Sequence, residues 1–222
     1  MTRAPRVASP QSMKTPGRFF IMRHGETVYN AARRLQANHI HTPLTRVGFE
    51  QAVRMGQALL AELGESPEVT LHVSETGRAL QTAALICERL GIDWFAAQRT
   101  HDLKEIDMGG WCGRSYDEVE AEHGPIVIAD HLLRPAPDGE DYHDIAHRLT
   151  RWIESLGDAG GDHLVVMHGI SSRVLRGLMA GHPVHPEHGV PIAPSLVQGS
   201  IALVENGAER VLYGSQVGTE HA

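Results

Sequence analysis

Two histidines and two arginines stand where strand-like runs give way to polar turns. Arg18-Phe-Phe-Ile-Met22 stops at Arg23-His24-Gly25-Glu26-Thr27. The alternating, β-branched Val69-Thr-Leu-His-Val73 stops at Ser74, with Arg78 four residues on. Leu164-Val-Val-Met167 stops at His168-Gly169. Forked cations and imidazoles with few acids suit phosphoryl transfer. A phosphate monoester matches the guanidinium fork, and each charge-assisted bond is worth roughly 1.5–3 kcal/mol. A neutral imidazole can attack phosphorus and carry it covalently, and nearby cations help keep it neutral. The other imidazole, if charged, would stabilise the oxygens in transit. This argument leaves open which of His24 and His168 attacks. The glycine after each permits a tight turn and close backbone approach, and the helix N-termini that follow suit an anion. The leaving alkoxide needs a proton. Glu105, in Leu103-Lys-Glu-Ile-Asp-Met-Gly109, is the best candidate to give it, with Asp107 the nearest substitute.

Other chemistries lack their signatures. There is no P-loop pattern and no G-x-G-x-x-G. No dense acidic cluster suggests a two-metal site, so arginines would supply the charge stabilisation that metals supply elsewhere. Neither a metal nor another cofactor is expected. Two cysteines, Cys87 and Cys112, cannot form a disulfide framework or a four-thiolate zinc site, which makes a reducing cytoplasm the default compartment. Lys and Arg number 20 against 27 Asp and Glu. The resulting net charge of −7 argues against general nucleic-acid binding but leaves room for one basic pocket. No apolar run is long enough for a membrane span, and the N-terminus lacks the apolar segment of a signal peptide. The expected partner is a small phosphorylated metabolite, without nucleic acid or membrane; no feature sets an oligomeric state.

The intervening elements must bring these turns together. Thr45 is a plausible cap for a helix over 46–63, stopped by Gly64. A second helix runs from Arg78 to Leu90, closed by Gly91. Ser115-Tyr-Asp-Glu118 fits a capping box opening a short helix to about His123. Residues 124–139 read as irregular, and further helices are expected over 140–156 and 171–180. Ser200–Val204 and Glu209–Tyr213 around Asn206-Gly207 read as a β-hairpin. Alternating strands and helices predict a three-layer α/β/α sandwich, mostly parallel with an antiparallel edge. A disordered tail over 1–17, with three prolines and no acid, would precede one domain over 18–222. In such sheets ligands collect at the carboxyl ends of the strands, where the three turns would meet.

At this point the chain resembles the histidine phosphatase superfamily, the phosphoglycerate mutase-like family, and within it the phosphatase branch. Arg23-His24-Gly25-Glu26-Thr27 with Asn30 is similar to its R-H-G-E-T-x-x-N signature. Pro43-Leu44-Thr45 with Gly48, Gln51 and Ala52 resembles P-L-T-x-x-G-x-x-Q-A. Ser74 with Arg78-Ala79, Gln81-Thr82-Ala83 resembles S-x-x-x-R-A-x-Q-T-A. Leu103 to Gly113 resembles L-x-E-x-x-x-G-x-W-x-G, and His168-Gly169 the second H-G. The resemblance implies that His24 is the phosphorylated nucleophile and Glu105 the proton donor. It implies that Arg23, Arg78 and His168 bind the phosphoryl group, with Asn30 and the Gly169 turn nearby, and that no metal is needed. Gln36 is a further candidate for substrate contact. Ala37 stands where many members carry Gly, and Cys112 where Glu is frequent.

Within the family the runner-up activity is a cofactor-dependent phosphoglycerate mutase. The mutase-type E-R-H-Y-G is absent, and the stretch from His24 to His168 is short for the mutase insertion. A non-catalytic phospho-ligand-binding member is the reading from another class, opposed by the intact His24, Glu105 and His168. Residues 35–42 and 111–142 are expected to choose the substrate. Trp111 is expected to pack the loop, Cys87 to lie in the core, and His182, His185 and His188 to line a surface loop.

Overall fold

A computed structural model of the chain describes residues 13, 16–37, 39, 41–158 and 160–215. Most of the tail expected over 1–17 lies outside the described residues. In chain order the elements are β1 (Arg18–Arg23), α1 (Val28–Ala31), α2 (Arg46–Leu63), β2 (Val69–Ser74), α3 (Gly77–Leu90), β3 (Gln98–Thr100), α4 (Tyr116–His123), β4 (Val127–Ile128), β5 (Leu132–Leu133), α5 (Tyr142–Ser155), β6 (Asp162–Met167), α6 (Gly169–Ala180), β7 (Ile201–Glu205) and β8 (Ala208–Tyr213).

Local chemistry sets the boundaries. Thr45 Oγ1 accepts the Gly48 N–H at 3.1 Å and caps α2. Ser115 and Glu118 form the expected capping box of α4. The next helix begins at Tyr142 rather than Glu140, because the Asp141 side chain takes the Asp144 N–H at 2.9 Å and acts as its cap. The sixth helix begins at Gly169, ahead of the expected 171, because extended His168 is itself the cap and no loop intervenes. Asn206 and Gly207 both adopt positive φ, the twist that a tight hairpin between β7 and β8 requires.

The six strands of the main sheet lie in the order β3-β2-β6-β1-β7-β8. The first four are mutually parallel, β7 runs antiparallel to β1, and β8 antiparallel to β7. The expected parallel sheet with an antiparallel border is present, and β3 adds a parallel strand that the sequence did not announce. Helices cover both faces. Phe19, Ile21, Val165 and Met167 pack with α5 and α6, while Phe20, Met22, Leu164 and Val166 pack with α2 and α3. The irregular stretch 124–139 contains the small antiparallel pair β4–β5.

Two glycines of separate motifs meet where the turn after β1 crosses the start of α2. A Cβ on Gly25 would collide with the Gly48 backbone, and one on Gly48 with the Glu26 carbonyl. Backbone occupies the space on both sides, so neither clash can be relieved by turning a side chain. Gly48→Ala is expected to destabilise the fold by about 1–3 kcal/mol, read as a lower urea midpoint at unchanged slope.

Beneath α5, His72 Nε2 lies 3.1 Å from His163 Nδ1. His163 stacks on Phe19, and His72 meets Trp152 edge-on. Burial, then the neighbouring His163, lowers the His72 pKa to about 4. Unfolded chain therefore binds more protons than folded chain between about pH 6.5 and 4, and stability falls as pH drops through that window. From pH 7 to pH 5 the expected loss from this group is about 2 kcal/mol. Urea denaturation at the two pH values measures it, and His72→Phe should lose less than the parent chain.

Candidate active site

The sheet itself places the two histidines. Arg23 ends β1 opposite Met167 at the end of β6, so the next residues, His24 and His168, leave paired strands side by side. The His24 N–H continues the ladder to the Met167 carbonyl at 3.1 Å, and the two rings meet edge-on with centroids 5.2 Å apart. The neighbouring strand β2 delivers Ser74, and the first turn of α3 delivers Arg78.

His24 is 2% exposed. Its Nδ1 lies 2.7 Å from the Gly25 carbonyl. A carbonyl only accepts, so Nδ1 carries the hydrogen and Nε2 keeps its lone pair. Burial, reinforced by Arg78 and Arg23, holds the pKa well below the usual 6.5 despite the favourable Gly25 carbonyl. His168 is also buried. Arg78 Nε donates to its Nδ1 at 3.2 Å, so its Nε2 carries the hydrogen, 2.7 Å from Ser74 Oγ. Burial, then Arg78 and His24, lower its pKa well below 6.5 too. Burial and the facing guanidiniums thus favour the neutral form of both imidazoles, and the condition left open in the sequence, one charged ring, is not met.

The cations are sequestered. Arg23 Nη1 donates to the Leu196 carbonyl at 2.7 Å. Arg78 is fully buried, and burial lowers its pKa only to about 10, so it remains charged at neutral pH. Glu105 sits at the start of α6. Its Oε2 accepts the Ile170 N–H at 3.0 Å, and its Oε1 accepts the Ser171 N–H and its neighbour Ile106 N–H, each at 2.9 Å. An acidic side chain is well placed at a helix N-terminus, where donors lack partners within the helix.

Arg23, His24, Arg78, Glu105, Asn30, Gln36 and Gly169 line one pocket. His168 stands behind it, touching His24 and Arg78. Thr27 Oγ1 has one hydrogen for two amide oxygens at the rim, Asn30 Oδ1 at 2.8 Å and Gln36 Oε1 at 2.9 Å, and the Thr27 N–H also donates to Asn30 Oδ1 at 3.1 Å. Polar motif residues outside the pocket brace its turns. Gln51 Oε1 accepts the Glu26 N–H at 2.7 Å, Thr82 Oγ1 the Gly25 N–H at 3.2 Å, and Gln81 Oε1 the Leu44 N–H at 3.0 Å.

Part of the other pocket wall lies in the stretch 111–142 expected to choose the substrate, which supplies Tyr116 and Leu133. That wall is formed by Arg34, Ile106, Met108, Tyr116, Leu133 and Ile170. Tyr116 had a usable signal: the Ser115 capping box makes it the first residue of α4. Burial pushes its hydroxyl up to about 12, so it is a neutral phenol. Trp111 lies in the core, and buried Cys87 has its thiol pushed up to about 11 by burial. Cys112 Sγ donates to the Gln36 carbonyl at 3.4 Å, just behind the rim. His182 pairs with Glu209 at 3.0 Å, and His188 stacks between His185 and Tyr142. Among the described residues no cluster of three or more His, Cys, Asp or Glu is arranged to hold a metal. None of the described helices is long and apolar enough to cross a membrane.

A mostly parallel α/β sheet that gathers two imidazoles, two guanidiniums and one acid at its carboxyl edge defines an enzyme built to handle phosphoryl groups. The chain matches the model of the histidine phosphatase superfamily (branch 1) over residues 19–210 and belongs to that superfamily. It is 31% identical over 176 residues to the probable phosphoglycerate mutase GpmB of Yersinia pestis, covering 76% of this chain and 77% of that protein. Its fold is shared with the alpha-ribazole phosphatase of Shigella flexneri, with TM-score 0.70 and 23% identity over 92% of this chain and all of the other. It is also shared with a mycobacterial glucosyl-3-phosphoglycerate phosphatase solved in complex with VO3, with TM-score 0.70 and 22% identity over 88% and 96% of the two chains. The protein is a phosphatase or phosphoglycerate mutase-like enzyme of this superfamily.

Proposed function

We propose that the protein is a metal-independent phosphomonoester hydrolase acting in the cytoplasm on a small phosphorylated metabolite. His24 Nε2 attacks phosphorus, the ester P–O bond breaks, and Glu105 gives its proton to the departing oxygen. Water then attacks the phosphohistidine, Glu105 takes a proton from that water, and phosphate leaves with His24 restored. The observation that carries this reading is the His24 ring, whose Nδ1–H is committed to the Gly25 carbonyl and whose Nε2 is left as a neutral nucleophile. Arg23 and Arg78 stabilise the charge on the transferring group. His168 donates its Nε2–H to a phosphoryl oxygen by exchanging its present partner, Ser74 Oγ, while Nδ1 stays with Arg78. Asn30, Gln36 and the Gly169 turn border the bound group.

Removing Arg23 as Arg23→Ala should lower kcat/KM on the order of 10²–10³-fold, measured with any ester the parent enzyme hydrolyses. The overall reading is tested by a phosphomonoester panel in EDTA with trapping of an acid-labile phosphoenzyme. Phosphate release in EDTA with a trapped intermediate supports it; turnover lost to EDTA, or no ester hydrolysed, overturns it. The likeness to GpmB favours a second reading, a phosphoglycerate mutase. Interconversion of 3-phosphoglycerate primed with 2,3-bisphosphoglycerate, outpacing phosphate release, would select it.

A further inference from the structure

Arg78 is almost fully engaged by protein, and counting its donors shows what remains for substrate. A guanidinium has five N–H groups in one rigid plane. Nε gives its hydrogen to His168 Nδ1 at 3.2 Å. Nη1 gives one to the His39 carbonyl at 2.7 Å and one to Thr42 Oγ1 at 2.9 Å. Nη2 gives one to the Ala37 carbonyl at 2.5 Å. Only the second hydrogen of Nη2 is left to meet a phosphoryl oxygen in the pocket that Arg78 lines.

Three of these four acceptors come from the chain between 37 and 42. Ala37 adopts the left-handed conformation, with φ of 44°. Two of the three acceptors are backbone carbonyls, which any residue would supply. Thr42 Oγ1 alone depends on side-chain identity. Thr42 is 1% exposed and is not part of the pocket lining, so it reaches the reaction only through Arg78.

We infer that Thr42 is a positioning residue: with the Ala37 and His39 carbonyls it fixes the plane of Arg78, so that one N–H faces the phosphoryl group. This rests on the phosphoryl-transfer reading of the pocket. Without the hydroxyl, one Nη1–H is buried with no acceptor. That is costly, so the plane turns to find another partner and the Nη2 donor leaves its place. The stretch 37–42 at the rim and the phosphoryl group are thereby held by one side chain. Arg78 contributes a single bond to phosphate rather than a fork.

The test compares Thr42→Val, which replaces the hydroxyl by a methyl of the same shape, with Thr42→Ser, which keeps it. Calorimetric binding of inorganic phosphate and turnover of p-nitrophenyl phosphate are read on the full chain. Thr42→Val should weaken phosphate binding and lower kcat/KM, each about tenfold, as expected for one bond to a charged donor. Thr42→Ser should recover most of the loss. In an Arg78→Lys background, Thr42→Val should have no further effect, since the two changes then act on one interaction. Wild-type phosphate affinity in Thr42→Val, or an equal loss in the Arg78→Lys background, overturns the inference. Parent enzyme that binds phosphate without hydrolysing any ester overturns the hydrolase reading while the Thr42 comparison still decides this one. Parent enzyme that binds no phosphate overturns both.

Discussion

His24→Ala should leave no phosphoenzyme and should lower turnover on the order of 10⁴–10⁶-fold, the scale seen when a covalent nucleophile is removed. The size follows from the geometry. His24 is held by the sheet on its backbone side and by the Gly25 carbonyl on its ring. Among the described residues the neighbouring imidazole offers no free lone pair in the same place, because His168 Nδ1 accepts from Arg78 and its Nε2 carries hydrogen toward Ser74. Rapid quench with a labelled ester gives the intermediate, and steady-state kinetics gives the rate. Phosphoenzyme in His24→Ala would move the nucleophile elsewhere, and unchanged turnover would end the covalent mechanism.

Glu105→Gln should lower turnover of an alkyl phosphate about 10²–10⁴-fold, the usual contribution of a general acid. For p-nitrophenyl phosphate, whose leaving group departs without much help, the loss should be about tenfold or less. The comparison matters because Glu105 also has a structural place. Both its oxygens accept backbone N–H groups from Ile106, Ile170 and Ser171. An amide must put its NH₂ against one of those donors, so some loss is expected from a shifted α6. That loss falls on both esters alike. Equal loss for the two would make Glu105 a helix anchor and not the proton donor.

The residues that gather at the pocket were readable because strand ends are readable. A buried apolar run that breaks into Arg-His-Gly needs no partner to be noticed, and parallel strands put such breaks on one edge. The helix over 46–63 was legible for the same local reason, an acceptor side chain in front and a glycine behind. By contrast, β3 is Gln98-Arg99-Thr100, three polar residues with half-exposed or exposed side chains. It is a strand only because β2 offers it a hydrogen-bonding partner. The neutral state of His168 was equally hidden. It depends on how completely the ring is buried and on which side Arg78 approaches, and both are properties of packing. Of the wall, Tyr116 and Leu133 lie within the stretch 111–142 expected to choose the substrate, but Met108 lies outside it and no local pattern marks any of the three as lining. Thr42 belongs to the same class: nothing near it in sequence points to Arg78.

The two histidines are fastened to adjacent strands, while the far side of the pocket is borrowed from connections around 34–37, 106–108, 116 and 133. The imidazole pair is thus set by strand pairing, and the surface that meets the rest of a substrate by the segments around it. Altering those segments would leave the imidazole pair in place but would disturb the other reactive groups, since Glu105 adjoins Ile106 in one of them and Arg78 is tied to Ala37, His39 and Thr42 in another.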